Sequence, residues 1–432
     1  MRVVRVGVFS LLARVVFVMG LVGMAACATQ PRLNLAHPPV VDLPFGDPAR
    51  RDRQAHLVLD AVTDTRSGAL LTPAELARRL AGTSVVFVGE SHTHLDSHLA
   101  QARLIEALAA TGRPVLVALE MFPRDDDTDE ALRAWTSGRS DEDTFLVQSH
   151  WYKHWGYPFG YYRDVFLAAR RHHLRVVGVN APRAVVTAVR TRGFEQLAPE
   201  DKARLPPRVD TTDPEHRRLF RAFFAGADAT HGAALPPEAW EGMFRAQCTW
   251  DAVMAWNALR ALEQQNAPNA IAVVLLGAGH VAFGLGAPRQ ATAAGAKDVA
   301  SVITVAAVDD DGRPARVRAS YADYVWAIPP EPDLPAFPAL GVSTTDGDVK
   351  AGVGPTVVMV SPESAAARAG VKPKDVIVAL DDVPVPDQET LSRLIADKHW
   401  GDDVRVTVRR DGEIRALAGV LRRSLPVNPA AP

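Results

Sequence analysis

The sequence predicts an α/β fold: a mostly parallel sheet flanked by helices, with a helical insertion and a small separate domain at the C-terminus. Three observations predict it. Apolar, β-branched runs recur at 85–88, 115–119, 175–179, 271–276 and 301–308, and strands that are apolar along their whole length belong to parallel sheets covered on both faces. Helix-favouring stretches alternate with the early runs, the order of βαβ units. Finally, "IPPEPDLPAFPALG" carries five prolines in fourteen residues, a semi-rigid linker that sets the C-terminal residues apart as a domain.

The 432 residues allow two or three domains, and 47% hydrophobic with 23% charged residues is the balance of a chain that buries a core. A formal net charge of −2 gives no electrostatic footprint for nucleic acid.

From the N-terminus, residues 1–27 read as a targeting segment: Arg2, Arg5 and Arg14, an apolar stretch, then Met24-Ala25-Ala26-Cys27. That ending resembles a bacterial lipobox, in which Cys27 becomes the lipidated first residue, and acyl chains added together anchor stably where one would not. Ala28 after the cysteine resembles outer-membrane sorting, on the periplasmic or surface side. With Cys27 lipidated, Cys248 is the remaining thiol and no intramolecular disulfide is available; Cys248 reads as a buried small hydrophobe. Residues 28–55 are proline-rich and aperiodic, as a tether would be.

Residues 56–328 form the α/β domain. "LDSHLAQARLIEALAATG" reads as a helix stopped at Gly112, and the interval 190–268 as a helical insertion. The linker spans 329–339 and the small domain 340–423. There, "PTVVMVSPESAAARAGVKPKDVIVALDDVPVPDQETLSRLI" resembles a bacterial-type PDZ domain, with Lys374 where many relatives have glycine. Leu340-Gly341-Val342 matches the loop whose backbone N–H groups hold a peptide carboxylate in that family, the peptide adding as a strand to a sheet edge. The resemblance implies protein or peptide C-termini as partners.

All strands of a parallel sheet point their C-terminal ends to one rim, where ligands gather. Glu90 and His92 follow the first run, Glu120 closes the second, Asn180 the third, and His280 follows the fourth. "VVFVGESHTH" and "AVVLLGAGHVAFG" both end in Gly-x-x-His: Gly89 to His92 and Gly277 to His280. Glu90, His92, Glu120 and His280, with the Asn180 amide, are therefore the candidate groups of one rim, either a functional site or two satisfied histidines under the sheet edge. They would bind one divalent cation, zinc, iron or manganese, or supply a general base with its orienting carboxylate. His94 and His98, four apart, either share one helix face or make a polar helix start, and His172-His173 reads as a basic helix end.

"HWYKHWGYPFGYYRD", residues 150–164, holds four of the six tyrosines and two of the eight tryptophans. Such a cluster is either a structural aromatic corner or the wall for a planar apolar ligand; Tyr and His both ligate haem iron.

"VGESHTHLDSHL", "ALEMFPRDD", "YPFGYYRDVFLAARRHHLRVVGVNAPR", "FRAQCTWDAVMA" and "LLGAGHVAFGLGAP" together resemble the ChaN-type haem-binding lipoproteins, of a superfamily shared with the Tiki proteins and the erythromycin esterases. The resemblance spans roughly 56–310. It implies a lipid-anchored α/β domain that binds haem in iron acquisition, with Tyr157, Tyr161 and Tyr162 as candidate haem ligands and His154 behind them. In Tiki relatives, Gly-x-x-His pairs and a glutamate carry metal-dependent peptide cleavage. Two function classes are implied: a haem-binding envelope lipoprotein, or a metal-dependent hydrolase to which the PDZ domain brings substrate. An adaptor acting chiefly through its PDZ domain is a third, and a homodimer is a further arrangement. A serine-protease reading lacks a Gly-x-Ser-x-Gly elbow, and no His-Glu-x-x-His zinc helix is present.

Overall fold

The computed structural model describes residues 40–231, 236–309, 311–332, 334–347 and 353–422. The targeting segment, Cys27 and the first part of the tether lie outside them. The chain divides into two compact units, Leu33–Ala336 and one built around Phe337–Pro432.

In the first unit the described strands are β1 (Val62–Asp64), β2 (Leu70–Leu71), β3 (Val85–Glu90), β4 (Val115–Pro123), β5 (Arg175–Asn180), β6 (Ile271–Gly277), β7 (Val299–Ala306) and β8 (Tyr324–Ile328). They form one sheet in the order β2-β1-β8-β7-β3-β6-β4-β5. The strands from β8 to β5 run parallel, and β1 and β2 add antiparallel at one edge. β3 and β6, the middle pair, are buried at every residue, which is why their sequences show no alternation. Val85, Phe87, Ala272 and Val274 belong to one core that Met254, Ala258 and Ala261 cover from the long helix Pro237–Gln265.

The helix after β3 spans Leu95–Ala109, and Gly112 comes after it at φ 76°, a conformation a side chain disfavours. The described elements of the insertion are helices: Arg183–Arg192, Pro199–Lys202, Pro214–His231 and Pro237–Gln265.

The tether expectation needs correction. From Val40 onward the chain is part of the fold: Val40, Val41, Leu43, Phe45 and Ala55 pack against the core. Arg50 is buried and bonds Asp323 Oδ1 at 3.1 Å and Thr65 Oγ1 at 2.7 Å. The segment's apolar residues are too sparse to show a period, yet they pack against the core.

The second unit is an antiparallel sheet of β9 (Val342–Thr345), β10 (Thr356–Val360), β11 (Val376–Leu380), β12 (Val383–Pro384), β13 (Asp403–Arg410) and β14 (Glu413–Val420). The order is β14-β13-β11-β10-β9, with β12 pairing β11. Leu340, Ile377, Leu380, Val404, Val406 and Val408 form its core. Ser364 caps the helix Ala365–Ala369 through Ala367 N–H at 3.1 Å, and Asp387 caps Gln388–Ala396 through Thr390 N–H at 2.7 Å.

Candidate functional site

β4, β6 and β3 are neighbours, so their C-terminal ends bring Glu120, Gly277 and Glu90 to one rim; Glu90 pairs in register with Gly277. A carboxylate only accepts, so His92 Nδ1–H donates to Glu90 Oε1 at 2.9 Å. The Gly277 N–H donates to Glu120 Oε2 at 2.7 Å. A Cβ on residue 277 would lie 2.9 Å from His92 Cε1 and 3.1 Å from its Nε2. Gly277 is thus required by the imidazole beside it, while its own φ of −58° suits any residue.

His280 is held in the same way from the other side. Its Nδ1–H donates to Asp251 Oδ1 at 2.6 Å, the Gln247 amide lies 2.9 Å from the same nitrogen, and its Nε2 is 3.5 Å from Glu120 Oε1. Each rim imidazole therefore has a carboxylate at Nδ1, and Glu120 lies near both rings.

Behind this layer Glu90 is saturated. It also accepts from Tyr162 Oη at 2.9 Å and Gln101 Nε2 at 2.6 Å, and His98 Nδ1 is 3.1 Å away. His98 Nε2–H donates to the His92 carbonyl at 3.2 Å. Asp251, fully buried, has His216 Nε2 at 3.4 Å.

The electrostatics derive from this pairing. Burial pushes Glu90 up, but His98 and His92 outweigh it and leave its carboxyl well below the usual range. Glu120 is likewise lowered, by His280, His92 and the Gly277 N–H, against burial. Burial works against imidazolium at His280, yet Glu120 and Asp251 raise it to about 10. His92 is raised against the same penalty by Glu90 and Glu120. The pairing thus favours the ion-paired form of the rim, imidazolium beside carboxylate. Such a set can donate protons to, and stabilise charge on, a polar ligand. The buried Cys248 thiol is pushed far up, which removes it as a nucleophile.

All four expected rim residues converge. Asn180 closes β5 by donating to the Glu120 carbonyl at 2.7 Å. A divalent cation finds less support: among the described residues no three His, Cys, Asp or Glu side chains are grouped to hold a metal ion. The carboxylates beside both imidazoles favour their protonated form, with which a metal ion would compete.

Sequence reasoning missed Asp251, Gln247, Gln101 and Tyr162 in this network, and it placed His98 only on a shared helix face or in a polar helix start, whereas His98 is fully buried. The available signal was helical spacing, Gln247 with Asp251 and His98 with Gln101, which places polar groups on one buried face.

The four tyrosine-cluster residues separate. Tyr161 and Tyr162 are 2% and 0% exposed, the latter bonded to Glu90, because they sit on the inward face ahead of the helix Arg163–Arg171. Neither faces solvent as a haem ligand would. Tyr157 and His154 are half-buried. The Tyr157 ring lies 5.1 Å from His92 and 5.5 Å from Trp155, and the Trp151 indole N–H holds the Tyr157 carbonyl at 2.9 Å. Gly156 beside it has no neighbour where a Cβ would stand. A phenol and an imidazole against an aromatic wall, next to open space, fit haem by donor type.

In the second unit Leu340 is core, and its carbonyl accepts from Ala366 N–H at 2.9 Å. Gly341 has φ 83°, and a Cβ there would lie 2.2 Å from Ser364 Cβ. Val342 begins β9, which ends the strand order and so presents an edge.

An α/β domain with an acid–imidazole rim at its strand ends, joined to an antiparallel module with a glycine loop and an edge strand, is the class this fold and site define. The family model described as "Haem-binding uptake, Tiki superfamily, ChaN" matches residues 76–291, half of the chain, and the chain belongs to that family. A PDZ domain model matches residues 338–418. Among solved structures, that of "Cofacial heme binding to ChaN of Campylobacter jejuni" is 18% identical with a TM-score of 0.44, covering 61% of this chain and 95% of that one. The HtrA3 PDZ domain bound to a phage-derived ligand is 19% identical with a TM-score of 0.18, covering 19% of this chain and 83% of that one. The magnetosome formation protease MamE of Paramagnetospirillum magneticum is 37% identical over 83 residues, which span 19% of this chain and only 11% of that relative.

Proposed function

We propose that this protein is a cell-envelope lipoprotein that binds haem for iron acquisition through its ChaN domain and takes protein or peptide C-termini through its PDZ domain. The observation that carries the reading is the half-buried Tyr157 phenol, its ring in tilted contact with His92 and Trp155 beside the open space at Gly156. Haem, when bound, supplies an iron that a phenolate or imidazole ligates. Tyr157 would hold it, with His154 as the second candidate, and Trp155 would exclude water from its face. Cys27 is the lipid attachment point, and Ala28 after it directs the chain to outer-membrane anchoring. Peptide carboxylates would meet the loop Leu340-Gly341-Val342, with the peptide adding along β9.

Haemin titrated into the full chain should shift the Soret band and saturate. A linear, unsaturating absorbance rise would overturn haem binding.

A second reading is hydrolysis of a peptide or ester at the rim. It is supported by the two imidazoles, each with a carboxylate at Nδ1, on either side of Glu120. The catalytic set would be Glu90, His92, Glu120 and His280, the imidazoles acting as proton donors to a developing oxyanion. A metal-dependent version would require zinc, iron or manganese to displace those protons. Metal content measured by mass spectrometry separates the two versions.

A further inference from the structure

The proline-rich segment after β8 is fastened to the loop that carries His92. β8 ends at Ile328, and the next carbonyl, that of Pro329, accepts from His94 Nε2–H at 3.0 Å. Two residues further, Glu331 Oε1 accepts from Thr93 Oγ1 at 3.0 Å. His94 is only 5% exposed, so the first of these bonds is shielded from water and is the firmer anchor. The loop itself is tight. His94 N–H donates to the Ser91 carbonyl at 3.1 Å, and Ser97 N–H to the His94 carbonyl at 3.0 Å. His92 lies inside that turn, its ring against Gly277 and its carbonyl bonded to His98. A displacement at residues 93–94 is therefore carried to the rim.

Beyond Glu331 the sequence continues through Pro332, Pro335 and Pro338 to Leu340. The connector bends at Leu334, Ala336 and Phe337, but its prolines leave it fewer conformations than a glycine-serine chain, which would absorb movement as a random coil.

We propose that this clasp between residues 329–331 and 93–94 couples the PDZ domain to the rim, so that a peptide held at β9 shifts the linker and changes the order of the loop bearing His92. The coupling rests on carboxylate capture by the PDZ domain.

The test is hydrogen exchange read by mass spectrometry on the full chain. The probes are a fluorescein-labelled pool of decapeptides ending in Val, Leu, Ile, Phe or Ala with free carboxylates, and the same pool amidated. Fluorescence polarisation on the same samples reports binding. The expected result is that the carboxylate pool changes exchange across 89–95 about fivefold, the scale of one hydrogen bond made or lost, while the helix Arg183–Arg192 is unaffected. A variant with a flexible Gly-Ser insert after Pro332 should bind the pool equally and lose the response at 89–95, and Thr93→Val with Glu331→Gln should reduce it. Bound peptide with unchanged exchange, or an insert variant that responds like wild type, overturns the coupling alone. Absence of peptide binding overturns carboxylate capture and the coupling together.

Discussion

Glu90 is the residue on which the rim turns. It is 3% exposed and takes Tyr162, Gln101 and two histidines as partners. Removing one member of a buried ion pair leaves the other charge uncompensated, a loss of about 3 kcal/mol or more. Glu90→Gln should therefore lower stability by about that amount in urea unfolding, whereas Tyr162→Phe, which deletes one hydrogen bond to a charge, should cost about 2 kcal/mol. Equal stability of Glu90→Gln and wild type would show that the network is not ionised. His280 adds a pH signature. Its folded value is raised from 6.5 to about 10, so its stabilisation is complete below about 6.5 and is lost as pH rises through about 10. The melting-temperature gap between wild type and His280→Gln should narrow across that window, and a gap that widens toward alkaline pH contradicts the pairing. Glu90, His92, Glu120 and His280 were legible because each ends or follows an apolar strand, where topology alone assigns the rim. Asp251 was not, because a carboxylate in a helix reads as a solvated face until the helix is packed.

At the scale of elements, uniform apolar runs revealed β3 to β7 because burial on both faces removes the period-2 pattern. β1 and β2 escaped because three-residue and two-residue strands have no pattern to show. Residues 40–55 escaped because proline-rich chain can pack irregularly as well as tether. The glycine loop before β9 is a case where sequence and backbone agree. Gly341→Ala would combine a positive φ with a Cβ 2.2 Å from Ser364. It should destabilise the second unit by about 2 kcal/mol, seen as a lowered melting transition. An unshifted transition would mean that the loop conformation is not fixed by glycine.

For the whole molecule, two units with separate cores were readable from composition, since a cluster of prolines cannot continue either sheet. What the sequence could not separate was the tyrosine cluster. Four tyrosines within eleven residues looked alike, and only packing divides Tyr161 and Tyr162, turned inward, from Tyr157 beside the rim. The most direct measurement of haem capture at Tyr157 is haemin titration of wild type, Tyr157→Phe and Tyr161→Phe, followed at the Soret band. Wild type and Tyr161→Phe should saturate with the same affinity and Tyr157→Phe should bind at least about tenfold more weakly, about 1.4 kcal/mol; identical curves for all three proteins, or no saturation in wild type, would contradict it.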